Sequence, residues 1–506
     1  MKKLIYYTLI TLSVRVFAAC DAGFDELNTD KTRATAVDPA FLLNNAVLGL
    51  RYNGIVYEIG VVQQIIAPFS GVLTGANYNQ DNRGATQASW QTHYRNVIRY
   101  TRDVLRVTKD VPERANLYNM ARILQAHAFM VLTDTYGDIP YFEGGKGYPD
   151  GIFFPVYDAQ EAIYPDLITE LTQASAALSA TGRVETADVL YAGNVEKWKK
   201  FGYSLLLRAG MRLVKANPTL AQQTVQAAFQ GGVITNLIDD AYVRCDANYT
   251  NPTGNTLNAT EANNYFLVEA FVNFLKDNND PRLKSIAVRY MGAASGSQQQ
   301  PGVNSNTDPA VQNGFPMGYD NNTIQPVAEA AGLASFYEYS QVDRTRMAKL
   351  TSPFYIVTSA QNHLLLAEAA ERGWIAGDVE QLYNIGVTQH MLQMAVFDVN
   401  SAVPADDITA YLTANPFDPA KALEQINTQY WVASFLNSTE AFSNFRRSGF
   451  PALAPNPFPG SEVPGAFIRR LTYPNSEISV NTDNVNQAIA RMGADDIATR
   501  VWWDKP

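Results

Sequence analysis

Apolar positions recur along most of the chain at three- and four-residue intervals, the signature of amphipathic helices. Trp90, Tyr94, Val97, Ile98, Thr101 and Leu105 fall at offsets 0, 4, 7, 8, 11 and 15, one face of a long helix. Asp38-Pro39 supplies an N-cap with proline at the first helical position, ahead of Phe41, Leu42, Ala46 and Leu48. Pro112 opens another helix with Leu117, Ala121, Leu124, Ala128, Val131 and Leu132 inside. Ile163, Leu167, Leu171, Ala174 and Leu178 mark a third, and Asn194 caps a fourth that carries Trp198, Phe201 and Leu205. A fifth is expected from Pro353 through Leu364–Ala369, with more over about 377–396 and 420–437. Alternating strand patterns are sparse, so the fold class is all-α. It consists of tetratricopeptide-like helical hairpins with long irregular loops and little β structure, although a 34-residue repeat survives only as degenerate traces.

Three stretches break this texture: residues 70–87, rich in Gly, Asn, Thr and Gln; 291–323, rich in Gly, Ser, Gln and Asn; and 449–485, rich in Pro, Gly and Asn. Loops of that length in a compact domain are functional or disordered, and their aromatic content favours function.

The N-terminus reads as an export address. Met1-Lys2-Lys3 precedes the apolar run Leu4–Val14, which suits a signal peptide and is too short for a membrane span. Phe17-Ala18-Ala19-Cys20 is similar to a bacterial lipobox, with residues 1–19 removed and Cys20 acylated; cleavage of an ordinary signal peptide after Ala19 is the alternative. Residues 20–506 then form a single domain. Lipidation of Cys20 would leave Cys245 without a disulfide partner, as a buried, inert thiol.

Composition removes several function classes. The chain has 506 residues with 39 Lys+Arg against 49 Asp+Glu, an acidic balance without the basic face of a non-specific nucleic-acid binder. Two Cys and four His supply neither a cysteine-rich zinc site nor a multi-histidine centre, so no metal or cofactor is expected. HExxH, GxSxG, the P-loop and CxxC motifs are absent. Gly144-Gly145-Lys146-Gly147 has the wrong spacing for a phosphate loop, and Asp277-Asn278-Asn279-Asp280 lacks the glycine and terminal Glu of a calcium loop.

Several blocks, in order, resemble the SusD/RagB family of Bacteroidota surface lipoproteins: Leu132-Thr133-Asp134-Thr135-Tyr136-Gly137-Asp138-Ile139-Pro140-Tyr141, Trp198–Arg208, Asn279-Asp280-Pro281-Arg282-Leu283, Leu366-Ala367-Glu368-Ala369, Phe445-Arg446-Arg447-Ser448-Gly449, Arg469–Pro474 and Trp502-Trp503-Asp504-Lys505. The resemblance implies a helical scaffold whose loops bind an oligosaccharide, or a peptide as in RagB. It implies no catalysis, a lipid anchor in the outer membrane, and a SusC-like TonB-dependent transporter as partner; a surface glycosidase is the remaining alternative. Asp21, Asp25 and Glu26 resemble the acidic signal for surface exposure. The blocks themselves read as structural, with Arg446 and Arg447 pinning carboxylates or carbonyls inside the fold and Trp502 and Trp503 sealing the core.

Sugar recognition needs flat aromatic faces with amides, carboxylates or Arg beside them. The loop candidates are Tyr78, Asn79, Asp81 and Arg83, then Tyr290 and Tyr319 with Phe336, Tyr337 and Tyr339; Trp90 is ambiguous between ligand and core. If Cys20 is acylated, Cys20→Ser abolishes labelling by radioactive palmitate and releases the protein from the membrane fraction, as gel autoradiography of fractionated cells will show.

Overall fold

The computed structural model describes residues 37–69, 73–148, 150–258 and 265–506; Cys20 and the stretch expected to be a signal peptide lie outside them. Helices dominate. The first, α1, is Pro39–Gly49; α2 (Arg83–His93) runs through a π turn at Tyr94–Ile98 into α3 (Arg99–Thr108); α4 is Ala115–Tyr136, α5 Gln160–Ala177, α6 Val195–Arg212 and α7 Pro218–Gly231. Later come α8 (Ser359–Glu371), α9 (Val379–Phe397), α10 (Ala422–Ala433), α11 (Ser438–Ser448), α12 (Asn475–Val480) and α13 (Thr482–Met492). Chain neighbours pack on one another from α3 to α7, and α8 packs on α9 and α10, so stacked helical hairpins build the scaffold. Among the described residues the sheets are small: β1 (Ile65–Ile66) pairs with β3 (Phe266–Leu267), β2 (Ala241–Val243) with β7 (Phe354–Val357), and β4 (Ala287–Tyr290) with β5 (Ser305–Asn306) and β6 (Gln341–Val342), all antiparallel.

Local chemistry sets the boundaries. Asn82, Asn194 and Asn217 accept from the backbone N–H three residues on, and Thr358 forms a capping box with Gln361. That box corrects the expected helix start at Pro353: Phe354-Tyr355-Ile356-Val357 is a β-branched and aromatic run that pairs with β2 instead. The long aromatic-faced helix is interrupted by the π turn, and the third irregular stretch shelters α12 and the start of α13. The second irregular stretch contains only short turns of helix and β5. Cys245 is half-buried rather than buried, with its thiol pushed up by desolvation.

The core is mostly apolar, yet it holds an extensive buried charge network. On α6, Arg212 donates to Asp134 of α4 (3.1 Å) and to Glu440 of α11 (2.5 Å), and Arg208 meets Glu440 at 3.1 Å. Asp134 also accepts from the Tyr164 hydroxyl and from Trp503 Nε1 (2.8 Å). On α11, Arg446 donates to the carbonyls of Asp134 and Arg469, both at 2.7 Å. Its neighbour Arg447 grips Glu368 of α8 bidentately at 2.7 Å. The Asn427 side chain also donates to Glu368. Desolvation alone would raise the Glu368 carboxyl, but Arg447 and Arg372 outweigh it and hold it down at about 2. Most of these residues belong to the motif blocks, which are therefore the fold's internal fastenings.

Arg447→Met strands part of the Glu368 charge and lowers stability by about 3–5 kcal/mol in urea unfolding, whereas Arg447→Met with Glu368→Leu recovers much of the loss. Glu58 and Asp240 behave oppositely to Glu368: burial pushes their carboxyls up to about 7 and about 8. The folded state favours their neutral forms, so their contribution is complete below the ordinary carboxylate range and is lost as pH rises through 7 and 8. Burial holds His93, His127, His363 and His390 below the usual imidazole range and so adds stability as pH rises to about 6.5. The melting temperature therefore falls only from about pH 6.5 to pH 8, and Glu58→Gln with Asp240→Asn flattens that decline.

Candidate ligand-binding surface

The three irregular stretches converge. Asn77 Nδ2 donates to the Tyr319 carbonyl (3.1 Å), and the Tyr78 hydroxyl donates to Asp320 Oδ2 (2.6 Å). Asn456 Nδ2 donates to the carbonyls of Ala76 and Asn77 at 2.9 and 2.7 Å, Gln80 Nε2 to Gly460 O at 2.9 Å, and the Glu462 N–H to Asn79 O at 3.0 Å. Gly318, at φ 87°, makes the close approach feasible: a Cβ there would stand 3.0 Å from Pro457 Cγ. The Asn321 N–H donates to Pro68 O, which brings Phe69 alongside.

What results is an aromatic surface. Tyr78 lies parallel to Phe458, with centroids 3.8 Å apart and planes 10° from parallel. Phe69 packs on Phe336 and on Tyr337, at 5.8 and 6.5 Å. Tyr78, Phe458, Phe69, Tyr319 and Tyr337 are all half-buried, so each ring is seated and still reaches the surface. A small core of Phe266, Phe315, Phe336 and Tyr339 lies behind Phe69, Tyr319 and Tyr337. Partial desolvation would raise the Asp320 carboxyl, but bonds from Tyr78, Thr323 and the N–H groups of Asn322 and Thr323 hold it below the usual carboxylate range. Burial first, and then Asp320, push the Tyr78 hydroxyl up, so it stays a protonated donor. Such a surface offers flat π faces beside an ionised acceptor and side-chain amides, which suits a polyhydroxylated ligand.

The candidates read from the sequence divide. Tyr78, Tyr319 and Tyr337 belong to this surface. Asn79 is buried in a left-handed turn (φ 49°) and contributes its carbonyl to Glu462. Asp81 accepts from Thr472 Oγ1 (2.7 Å), and Arg83 donates to Asp495 and to the Tyr473 carbonyl, so both fasten the start of α2 to the later chain. Trp90 is core, with Tyr94, Tyr136, Tyr157 and Tyr473 around it. Tyr290 is a correction: only 1% exposed, it lies under the Arg344 guanidinium, which donates to its hydroxyl. Phe336 and Tyr339 are likewise buried supports. Phe69, Phe458 and Asp320 were missed; a ring beside proline in Pro68-Phe69 and Pro457-Phe458, each in or next to an irregular stretch, was the available signal. In the Asp277–Asp280 stretch, which lacks a calcium-loop pattern, Asp280 holds Arg282 bidentately and Asn278 Nδ2 donates to Phe274 O.

A family profile described as SusD-like, "Starch-binding associating with outer membrane", matches residues 31–474. The chain belongs to this SusD-like family, whose members are helical, tetratricopeptide-containing proteins. Among solved structures, it is similar to a chitin-binding protein at 29% identity and a TM-score of 0.82, over 93% of this chain and 100% of that one. A structure titled Bacteroidetes AC2a SusD-like follows at 24% identity and 0.81, with the same coverage. A chitin-binding SusD homologue from Flavobacterium johnsoniae shares the fold at 22% identity and 0.74, over 92% of this chain and 97% of that one. No curated protein matches. Among the described residues no helix is long and apolar enough to cross a membrane.

Proposed function

We propose that the protein is a lipid-anchored outer-membrane glycan receptor that captures oligosaccharides on the Tyr78–Phe458 surface and passes them to a SusC-like TonB-dependent transporter. The observation that carries this reading is the parallel Tyr78–Phe458 pair, held by Asp320, where three loops meet. An exposed edge or face of such a pair stacks on the apolar face of a pyranose, while Asp320, Gln80 and neighbouring amides serve its hydroxyls. The ligand favoured is a β-linked N-acetylglucosamine oligosaccharide, because the 29%-identical relative that spans nearly the whole chain is a chitin-binding protein.

Calorimetric titration with chito-oligosaccharides, malto-oligosaccharides and short peptides tests the reading. Binding confined to the first fits it; binding to peptides alone assigns the protein to the RagB-like alternative, and release of reducing ends marks a glycosidase. Tyr78→Ala and Phe458→Ala each weaken oligosaccharide affinity by about five- to twentyfold, roughly 1–2 kcal/mol, while Tyr78→Phe, which keeps the ring, loses less. Unchanged affinity in both alanine variants overturns this surface as the site.

A further inference from the structure

The surface where the three irregular stretches meet is one-sided in its charge. Residues 52–82, 290–343 and 448–468 supply its rings and contain no Lys, Arg or His, although the whole chain has 39 Lys+Arg. They do supply carboxylates. Asp320 accepts from the Tyr78 hydroxyl (2.6 Å), and Glu462, just beyond Phe458, accepts from the Asp81 N–H (3.2 Å) while its own N–H reaches Asn79 O. Glu269 is exposed as well. Burial apart, the charged side chains that act on the Tyr78 and Tyr339 hydroxyls are Asp320 and Glu269, both negative.

The cations that border these stretches are engaged elsewhere. Arg83 pairs with Asp495 and Asp81, and Arg289 with Glu338. Arg344 lies over the buried Tyr290 ring, on the Tyr337 side of the surface, and donates to the Tyr290 hydroxyl and the Gln299 carbonyl. Among the described residues none of the three pairs with Asp320, Glu462 or Glu269. The two carboxylates beside the stacked rings also keep acceptor capacity, since an ionised carboxylate offers about four lone-pair sites. Asp320 Oδ1 takes the N–H groups of Asn322 and Thr323 and the Thr323 hydroxyl, which leaves Oδ2 with Tyr78 alone. Glu462 Oε1 takes no donor from the described residues. Nor do three His, Cys, Asp or Glu side chains cluster anywhere among the described residues as a metal site would require, so the negative charge beside the rings suits an organic cation.

We propose that the Tyr78–Phe458 surface selects oligosaccharides that carry free ammonium groups, so that its favoured ligand is a β-linked glucosamine oligosaccharide with some of its amines unacetylated. The inference rests on the glycan reading above and adds the charge of the sugar to it. A protonated 2-amino group projects from the edge of a pyranose whose C–H face stacks, which places the cation within reach of a carboxylate beside the ring. The aromatic faces attract the same cation through their quadrupoles. An acetamido group in its place still makes hydrogen bonds but gains nothing from the uncompensated charges, and a uronic acid is repelled by them.

Calorimetry on the full chain compares glucosamine oligomers with N-acetylglucosamine oligomers of the same length, and with an oligogalacturonate, at mildly acidic pH. The expected result is about three- to tenfold tighter binding of the aminated oligomer. That preference shrinks in high salt and disappears at alkaline pH, where the sugar amine is neutral. Asp320→Asn and Glu462→Gln each lower the ratio of the two affinities, whereas Glu196→Gln, an exposed carboxylate on α6 outside the surface, does not. Each variant is first checked for an unchanged melting temperature. Equal affinities for the two oligomers, or tighter binding of the oligogalacturonate, overturn the proposal. So does a preference that survives both substitutions, which is then the pull of the whole acidic chain on a polycation. If Tyr78→Ala still weakens the acetylated oligomer in those cases, the glycan surface stands without its charge selection; if it weakens neither oligomer, both fall.

Discussion

Carboxylates and guanidinium groups taken out of water must find one another, and that requirement organises this protein. Asp134, Glu368 and Glu440 lie on three different helices; Arg212 of α6 meets Asp134 and Glu440, and Arg447, beside Glu440 on α11, meets Glu368. Asp134 is the busiest, receiving Arg212, Tyr164 and Trp503 on its carboxylate while its carbonyl receives Arg446. Because an unpaired charge in the core costs several kcal/mol, the helices can slide or rotate very little before the arrangement fails. The hydrophobic stripes bring the helices together; the ion pairs decide how they are aligned.

On such a frame, variation is left to the loops. The three irregular stretches emerge from this fastened scaffold and meet through bonds to backbone carbonyls: Asn77 to Tyr319, Asn456 to Ala76 and Asn77, Gln80 to Gly460. Backbone carbonyls do not depend on side-chain identity, so the rings displayed above them can vary while the meeting point persists. The Tyr78–Phe458 stack draws its two rings from positions far apart in the chain, and neither ring is held by the scaffold alone.

Much of the scaffold was legible because helix periodicity and capping are local: Asn194 and Pro39 mark helix starts in sequence just as they do in space. The helix expected at Pro353 failed because β7 exists only through its pairing with β2, more than a hundred residues earlier. The π turn at 94–98 was invisible because the residues buried beyond it, Thr101, Val104 and Thr108, keep a helical spacing of their own, displaced by one position from the expected Leu105. At the candidate surface, Tyr78, Tyr319 and Tyr337 were picked out because aromatic rings in polar loops stand out. Tyr290 was misassigned because nothing local says that Arg344 will cover it, and Phe458 and Asp320 were missed because each acquires its role from Tyr78. Arg83 reads as a ligand group from composition alone; only the fold reveals Asp495 beside it.

The buried network also bears on how the chain is made. Asp134 and Arg212 are synthesised early, Glu368 and Glu440 much later, and Trp503, which completes the Asp134 cluster, after all of them. Until residue 503 has been delivered, any compact intermediate holds charges with partners missing and is penalised for closing around them. The core therefore closes fully only once the last turn of the chain is in place, and a chain cut short before Trp503 would leave the Asp134 cluster incomplete.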